Sequence, residues 1–296
     1  MIKQLQLNRN HIKIERALIS VFDKTGVVEL AKTLEEMNVE ILSTGGTYKV
    51  LQEASIKVVD VSEYTKFPEI MNGRVKTINP LIGGGLLGLR DEHENDAKEN
   101  NIQWIDLVIC NLYPFAEATS KENCDEALAL ENIDIGGPTM IRAAAKNLGW
   151  VCVAVDPNDY TNIADELKTT GKISFESRKS FSAKAFGHTA KYDTIIHNYF
   201  KSEKLSEDFS LTFTKHSDLR YGENPHQSGA AYKVSDGKDY NILNAHIRQG
   251  KKLSYNNIMD ADGALACVKE FDKPACVIVK HANPCGVAIG KNILEI

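Results

Sequence analysis

The chain has 296 residues, 43% hydrophobic and 25% charged, with a formal net charge of -5 at pH 7. That is a globular composition with apolar mass for one or two domains, and its acidity excludes a surface that grips nucleic acid throughout. No apolar run approaches the ~20 residues that cross a bilayer, the polar start at 1–16 lacks a secretory h-region, and six cysteines without a CxxC pair give neither a zinc site nor a disulfide framework.

A cytoplasmic protein with buried free thiols is therefore expected. Residues 17–22 (ALISVF) read as a strand, after which Val27, Leu30, Ala31 and Leu34 recur at helical spacing. Residues 39–42 form a second strand that runs into Ser43-Thr44-Gly45-Gly46-Thr47 and a further helical stretch. Residues 58–61 read as a short strand. Residues 106–112 (DLVICNL) and 151–155 (VCVAV) are continuous apolar runs, the pattern of strands buried on both faces. A long helix is expected over about 174–200. This alternation predicts an α/β fold, a mostly parallel sheet with flanking helices, whose site lies at the carboxyl ends of the strands. Residues 201–210 (KSEKLSEDFS) read as a linker. A turn-rich stretch follows 211–213, then a helix near 260–271 and a strand at 275–279.

Several loops carry chemistry. In 43–47 the glycines permit close backbone approach, the hydroxyls donate, and the following helix N-terminus favours an anion; a tight turn with a capping Thr accounts for the loop equally well. Ser20 and Lys24 stand at a second strand-to-helix turn, and Arg74-Val75-Lys76-Thr77 adds two cations and a hydroxyl. Three such loops on one sheet edge suggest a phosphate pocket. Asn111 and Tyr113 end a buried strand. Asp134 lies between two isoleucines, a costly place for a carboxylate without a partner, and Lys146 ends an alanine-rich helical stretch; the two could be a structural ion pair. No Cys, His or carboxylate cluster has metal-ligand spacing, so no metal is expected.

Taken together, VFDKTG, STGGT, FPE, GRVKT, CNLYPF, ENIDIGGPTMIRAAAKN and KAFGHTAKYD resemble, in order, the cyclohydrolase domain of the bifunctional AICAR transformylase/IMP cyclohydrolase family. LRYGENPHQ, LSYNNIMDADGALACVKEF and ACVIVKHANPCGVAIG resemble the opening of that family's transformylase domain. The resemblance implies a methylglyoxal-synthase-like domain over 15–200, a linker over 201–210, and over 211–296 an incomplete α/β transformylase segment of cytidine-deaminase-like fold. It implies small-molecule nucleotide substrates, a homodimer, and no nucleic-acid or membrane partner. The first domain would cyclise 5-formamidoimidazole-4-carboxamide ribotide (FAICAR) to IMP without a cofactor. Full-length members also transfer a formyl group from the co-substrate 10-formyltetrahydrofolate to AICAR, an activity not expected of this chain.

By resemblance, Asp134 holds or deprotonates the carboxamide nitrogen, Lys146 coupled to Tyr113 shuttles a proton, and Lys76 stabilises charge on the formyl oxygen. Ser20, Lys24, Thr44, Gly45, Thr47, Arg74, Thr77 and Asn111 would hold the ribotide. Lys280 and His281 match the family's formyl-transfer pair, and Arg220, Tyr221 and Asn257 match AICAR-contacting positions. The chain departs from the family at Phe22, usually Ser, at Asn79 and Gly83, each usually His, and at Leu148, commonly His. Two other readings are a regulatory module that binds a phosphorylated ligand without turning it over, and a methylglyoxal-synthase-like lyase, which the second segment disfavours.

Overall fold

The computed structural model describes residues 6–121, 123–203, 206–234 and 241–296. It divides into two units, 1–204 and 205–296; Lys204 and Leu205 of the expected linker lie outside the described residues.

In the first unit the chain runs β1 (Arg16–Val21), α1 (Val27–Glu36), β2 (Glu40–Ser43), α2 (Gly45–Glu53), β3 (Val58–Asp60), α3 (Val61–Thr65), α4 (Pro80–Leu87), α5 (Glu94–Glu99) and β4 (Leu107–Asn111). It continues through α6 (Phe115–Thr119), α7 (Glu126–Glu131), α8 (Gly136–Lys146), β5 (Cys152–Ala154), α9 (Tyr160–Thr170) and α10 (Phe175–Phe200). The five strands pair in parallel in the order β3-β2-β1-β4-β5. Alternate residues feed opposite faces. Ala17, Ile19 and Val21 pack with Leu30, Leu34 and Ile163 of α1 and α9, whereas Leu18, Val108 and Cys110 pack with Ile82, Ile141 and Ala145 of α4 and α8. Both faces are buried, which is why the strands read as unbroken apolar runs.

Among the elements that escaped the sequence pattern, α3 and α4 show why. Val61, expected to end a strand, is the first residue of α3, because the Asp60 carboxylate accepts the Ser62 amide and caps a helix there. Helix α4 carries three glycines and no helical stripe, yet the Asn79 side chain accepts the Leu81 amide and Pro80 sits at its first position. Arg178, fully buried in α10, donates to the carbonyls of Leu148, Gly149, Ile173, Asn8 and Asn10, tying the amino-terminal arm to the loop after α8. A buried guanidinium is tolerable when its donors are met in this way.

The second unit contains β6 (Phe213–Asp218) paired antiparallel with β7 (Ala230–Val234), α11 (Tyr255–Val268), and β8 (Ala275–Lys280) paired antiparallel with β9 (Asn283–Ile289). Helix α11 starts earlier than the expected 260 because Ser254 and Asn257 form a reciprocal capping box. No helix among the described residues is long and apolar enough to cross a membrane.

Candidate active site

Strand order reverses at β1, which lies between β2 and β4, so the loops after β1 and β4 diverge and open a crevice at the carboxyl edge. A cleft of about 890 Å³ lies there, lined by Ser20, Lys24, Thr44, Gly45, Thr47, Arg74, Lys76, Thr77, Asn111, Tyr113 and Asp134. Residues from five separate loops thus meet in one place.

The cationic wall is built on α2. A Cβ placed on Gly45 would sit 3.7 Å from Lys76 Nζ, and one on Gly46 would sit 3.9 Å from Lys24 Nζ. Two ammonium groups therefore flank the amino end of α2, where free backbone amides and the helix dipole also favour an anion. Gly45 and Gly73, with φ of 58° and 89°, leave the space through which Lys76 passes. Lys76 Nζ also lies 3.0 Å from Glu69, and Arg74 pairs with Glu131 at the end of α7. Neither carboxylate was assigned a role from sequence, although both stand inside the quoted motifs FPE and ENIDIGG.

The opposite wall is the start of α8. The Asp134 carboxylate accepts the Gly137 amide at 2.8 Å. Burial pushes its carboxyl above the ordinary carboxylate range, outweighing the lowering from the Gly137 and Gly136 amides. Thr77 is buried against Gly136, where an added Cβ would lie 2.7 Å from its hydroxyl. Tyr113 is 53% exposed at the lip, its ring 5.1 Å from that of Phe22.

Two of the expected cleft residues are committed elsewhere, and a third stands outside the cleft. The Thr47 hydroxyl accepts from Val21 N at 3.0 Å and donates to Val21 O at 2.9 Å, so it clamps β1 to α2 and has no proton left for a ligand. Asn111 accepts the amides of Phe22 and Asp23 and donates to Asp23 O, stitching the β1 loop to β4. Lys146 is exposed at the last residue of α8. Ten residues of helix, about 15 Å, separate it from Gly136, and it is not among the residues that line the cleft. Of the departures, Asn79 caps α4, Gly83 faces open space, and Leu148 acts through its carbonyl.

In the second unit the other expected residues gather about α11. The Arg220 guanidinium stacks 4.9 Å over the Tyr221 ring. Tyr221 O accepts Tyr255 N, and the Asn257 side chain is committed to the Ser254 cap. Lys280 ends β8, and His281 and Ala282 form the two-residue turn to β9 with φ of 54° and 58°. Both central residues of that turn are left-handed without being glycine, a strain the fold must offset. Asp260 on α11 accepts the Ala282 amide at 2.7 Å and holds the turn. Among the described residues no group of three His, Cys, Asp or Glu side chains converges as metal ligands would.

Residues 26–139 match the MGS-like domain, and residues 144–296 match the AICARFT/IMPCHase bienzyme family. The chain is similar to the bifunctional purine biosynthesis protein PurH of Acetivibrio thermocellus, 53% identical over 95% of this chain and 56% of that protein. It is 52% identical to the protein of the same name from Bacillus cereus, over the same shares. The chain thus spans a little over half the length of these relatives. The crystal structure of ForH covers 62% of this chain and 96% of its own, with 32% identity and a TM-score of 0.58. The fold of the first unit is the MGS-like α/β sheet, and the chain belongs to the AICARFT/IMPCHase bienzyme family.

Proposed function

We propose that the cleft of the first unit binds a phosphorylated imidazole ribonucleotide and closes its second ring, converting FAICAR to IMP and water. The observation that carries this reading is a single cleft in which Lys24, Lys76 and the amino end of α2 face the half-buried carboxylate of Asp134. A ribotide phosphate fits the cationic wall, where charge-assisted bonds contribute about 1.5–3 kcal/mol each. At Arg74 it would exchange with Glu131, since a phosphate meets a guanidinium fork with two parallel bonds.

Both reacting groups belong to one molecule, so orientation supplies much of the rate. The carboxamide nitrogen forms a bond to the formyl carbon while Asp134, whose carboxyl burial holds above the ordinary carboxylate range, takes one of its protons. Lys76 faces the charge that grows on the formyl oxygen. The oxygen then leaves as water after gaining two protons, and the formamide nitrogen gives up its own as the C=N bond forms. Tyr113 at the lip is the group placed to pass a proton to the departing oxygen. The exposed position of Lys146 gives its implied shuttle role no support within one chain.

For the second unit we propose that Arg220, Tyr221, Asn257, Lys280 and His281 form part of a site for AICAR, with 10-formyltetrahydrofolate as formyl donor in proteins of full family length. A regulatory module would need only the phosphate loops; Asp134 and Tyr113 opposite those loops favour turnover. Ultraviolet absorbance separates the two, because ring closure of FAICAR changes the spectrum and binding without reaction leaves IMP unformed.

A further inference from the structure

The motif KAFGHTAKYD lies on α10 and supplies nothing to the cleft wall just described, yet its Tyr192 is buried directly behind Asp134. The Tyr192 hydroxyl accepts the Asp134 backbone amide at 2.7 Å, and its own proton faces the Asn132 carbonyl at 3.5 Å. The 132–135 loop joins α7 to α8. Its earlier amides, Asn132 and Ile133, are satisfied by carbonyls of α7, and the Asp134 carboxylate is fixed by Gly137 at the start of α8. The Asp134 amide is the point between them, and a side chain from a third helix holds it.

We propose that Tyr192 is a positioning residue for Asp134: its hydroxyl fixes the backbone from which that carboxylate is aimed into the cleft. The inference rests on the reading of Asp134 as the group that meets the substrate. Tyr192 touches no substrate atom itself; it lies on the far side of the loop. A buried phenol suits the task, because its ring fills the core against α8 while its oxygen meets a donor that would otherwise be unsatisfied.

Tyr192→Phe in the full chain removes the oxygen and keeps the ring. The direct readout is the titration of the Asp134 carboxyl by carbon-13 NMR; the titratable side chains about it are Tyr192 on α10, Cys110 on β4 and, in the cleft, Lys24, Lys76 and Tyr113. The expected result is a downward shift of that titration toward the ordinary carboxylate range, as the loosened loop admits water. With FAICAR, kcat is expected to fall about tenfold with KM within twofold, the size of one lost hydrogen bond. In an Asp134→Asn background the same change is expected to cost nothing further. An unmoved titration in a folded Tyr192→Phe protein overturns the proposal, as does an equal loss of turnover with and without Asp134. A shifted titration in a protein that forms no IMP supports the role of Tyr192 while counting against the reaction proposed for the cleft.

Discussion

The ring of Phe22 lies 5.1 Å from that of Tyr113 at a tilt of 51°, and Lys24 Nζ lies 6.0 Å from the Phe22 centroid on the same lip of the cleft. The position where the family usually has serine therefore holds an aromatic ring that steadies a candidate proton carrier. Aromatic pairs contribute about 0.5–1.5 kcal/mol beyond burial, and this one is half exposed. Phe22→Ser is expected to lower kcat/KM for FAICAR two- to tenfold, taking about 1.4 kcal/mol per decade. Steady-state kinetics decide it; unchanged values would mean that Tyr113 needs no support from Phe22.

Thr47→Val should act on stability and spare binding. The hydroxyl it removes bonds both Val21 N and Val21 O inside the sheet, and leaving the amide unmet costs about 1–3 kcal/mol. The urea midpoint is expected to drop while KM for FAICAR stays within twofold. A large rise in KM with an unchanged midpoint would return Thr47 to the ligand.

The sheet was legible because strands buried on both faces leave unmistakable apolar runs, and the strand bounds differ from those runs by a residue or so. Helices α3 and α4 were not, since their starts depend on single side chains, Asp60 and Asn79, and their lengths are too short for a helical stripe. Strand β6 is exposed along its whole length and so has no alternation to read. At the candidate site, residue types pointed to loops that the structure brings to one cleft, but not to the use of each group. Thr47 and Asn111 stand at the cleft with polar atoms already committed, and only coordinates distinguish a hydroxyl turned to its own backbone from one turned to a ligand. Lys146 shows the limit of motif reasoning: contiguity with AAAKN says nothing of which end of α8 meets the cleft.

The glycines of α4 separate into two kinds. A Cβ on Gly83 meets nothing within 4 Å, whereas one on Gly85 would lie 2.6 Å from the Gln103 carbonyl. Gly83→Ala is expected to stabilise the chain by about 0.5–1 kcal/mol through reduced freedom of the unfolded state. Gly85→Ala should destabilise it, and thermal melts of the two variants should move in opposite directions.

Asp134 ties activity to stability through pH. Its carboxyl titrates above the ordinary range because burial disfavours the charge. The folded state therefore holds this proton more tightly than the unfolded chain does. That contribution to stability is present below the unfolded carboxylate pKa, near 4, and is lost as pH rises through the folded value. Asp134→Asn, which keeps an oxygen for the Gly137 amide, is expected to raise the urea midpoint at pH 7 and not at pH 3. In the parent chain kcat should fall as acid protonates the same group, with the limb above the usual carboxylate range. A limb at or below pH 4 would remove Asp134 as the base.

The rate at which the chain forms IMP from FAICAR, followed by absorbance beside the same measurement on Asp134→Asn, tests the proposed cyclisation most directly. Turnover by the parent, reduced by roughly 10²–10⁴ in the variant with KM little changed, is the expected result. Tight binding of FAICAR by both proteins with no IMP formed by either would contradict it and identify the cleft as a sensor.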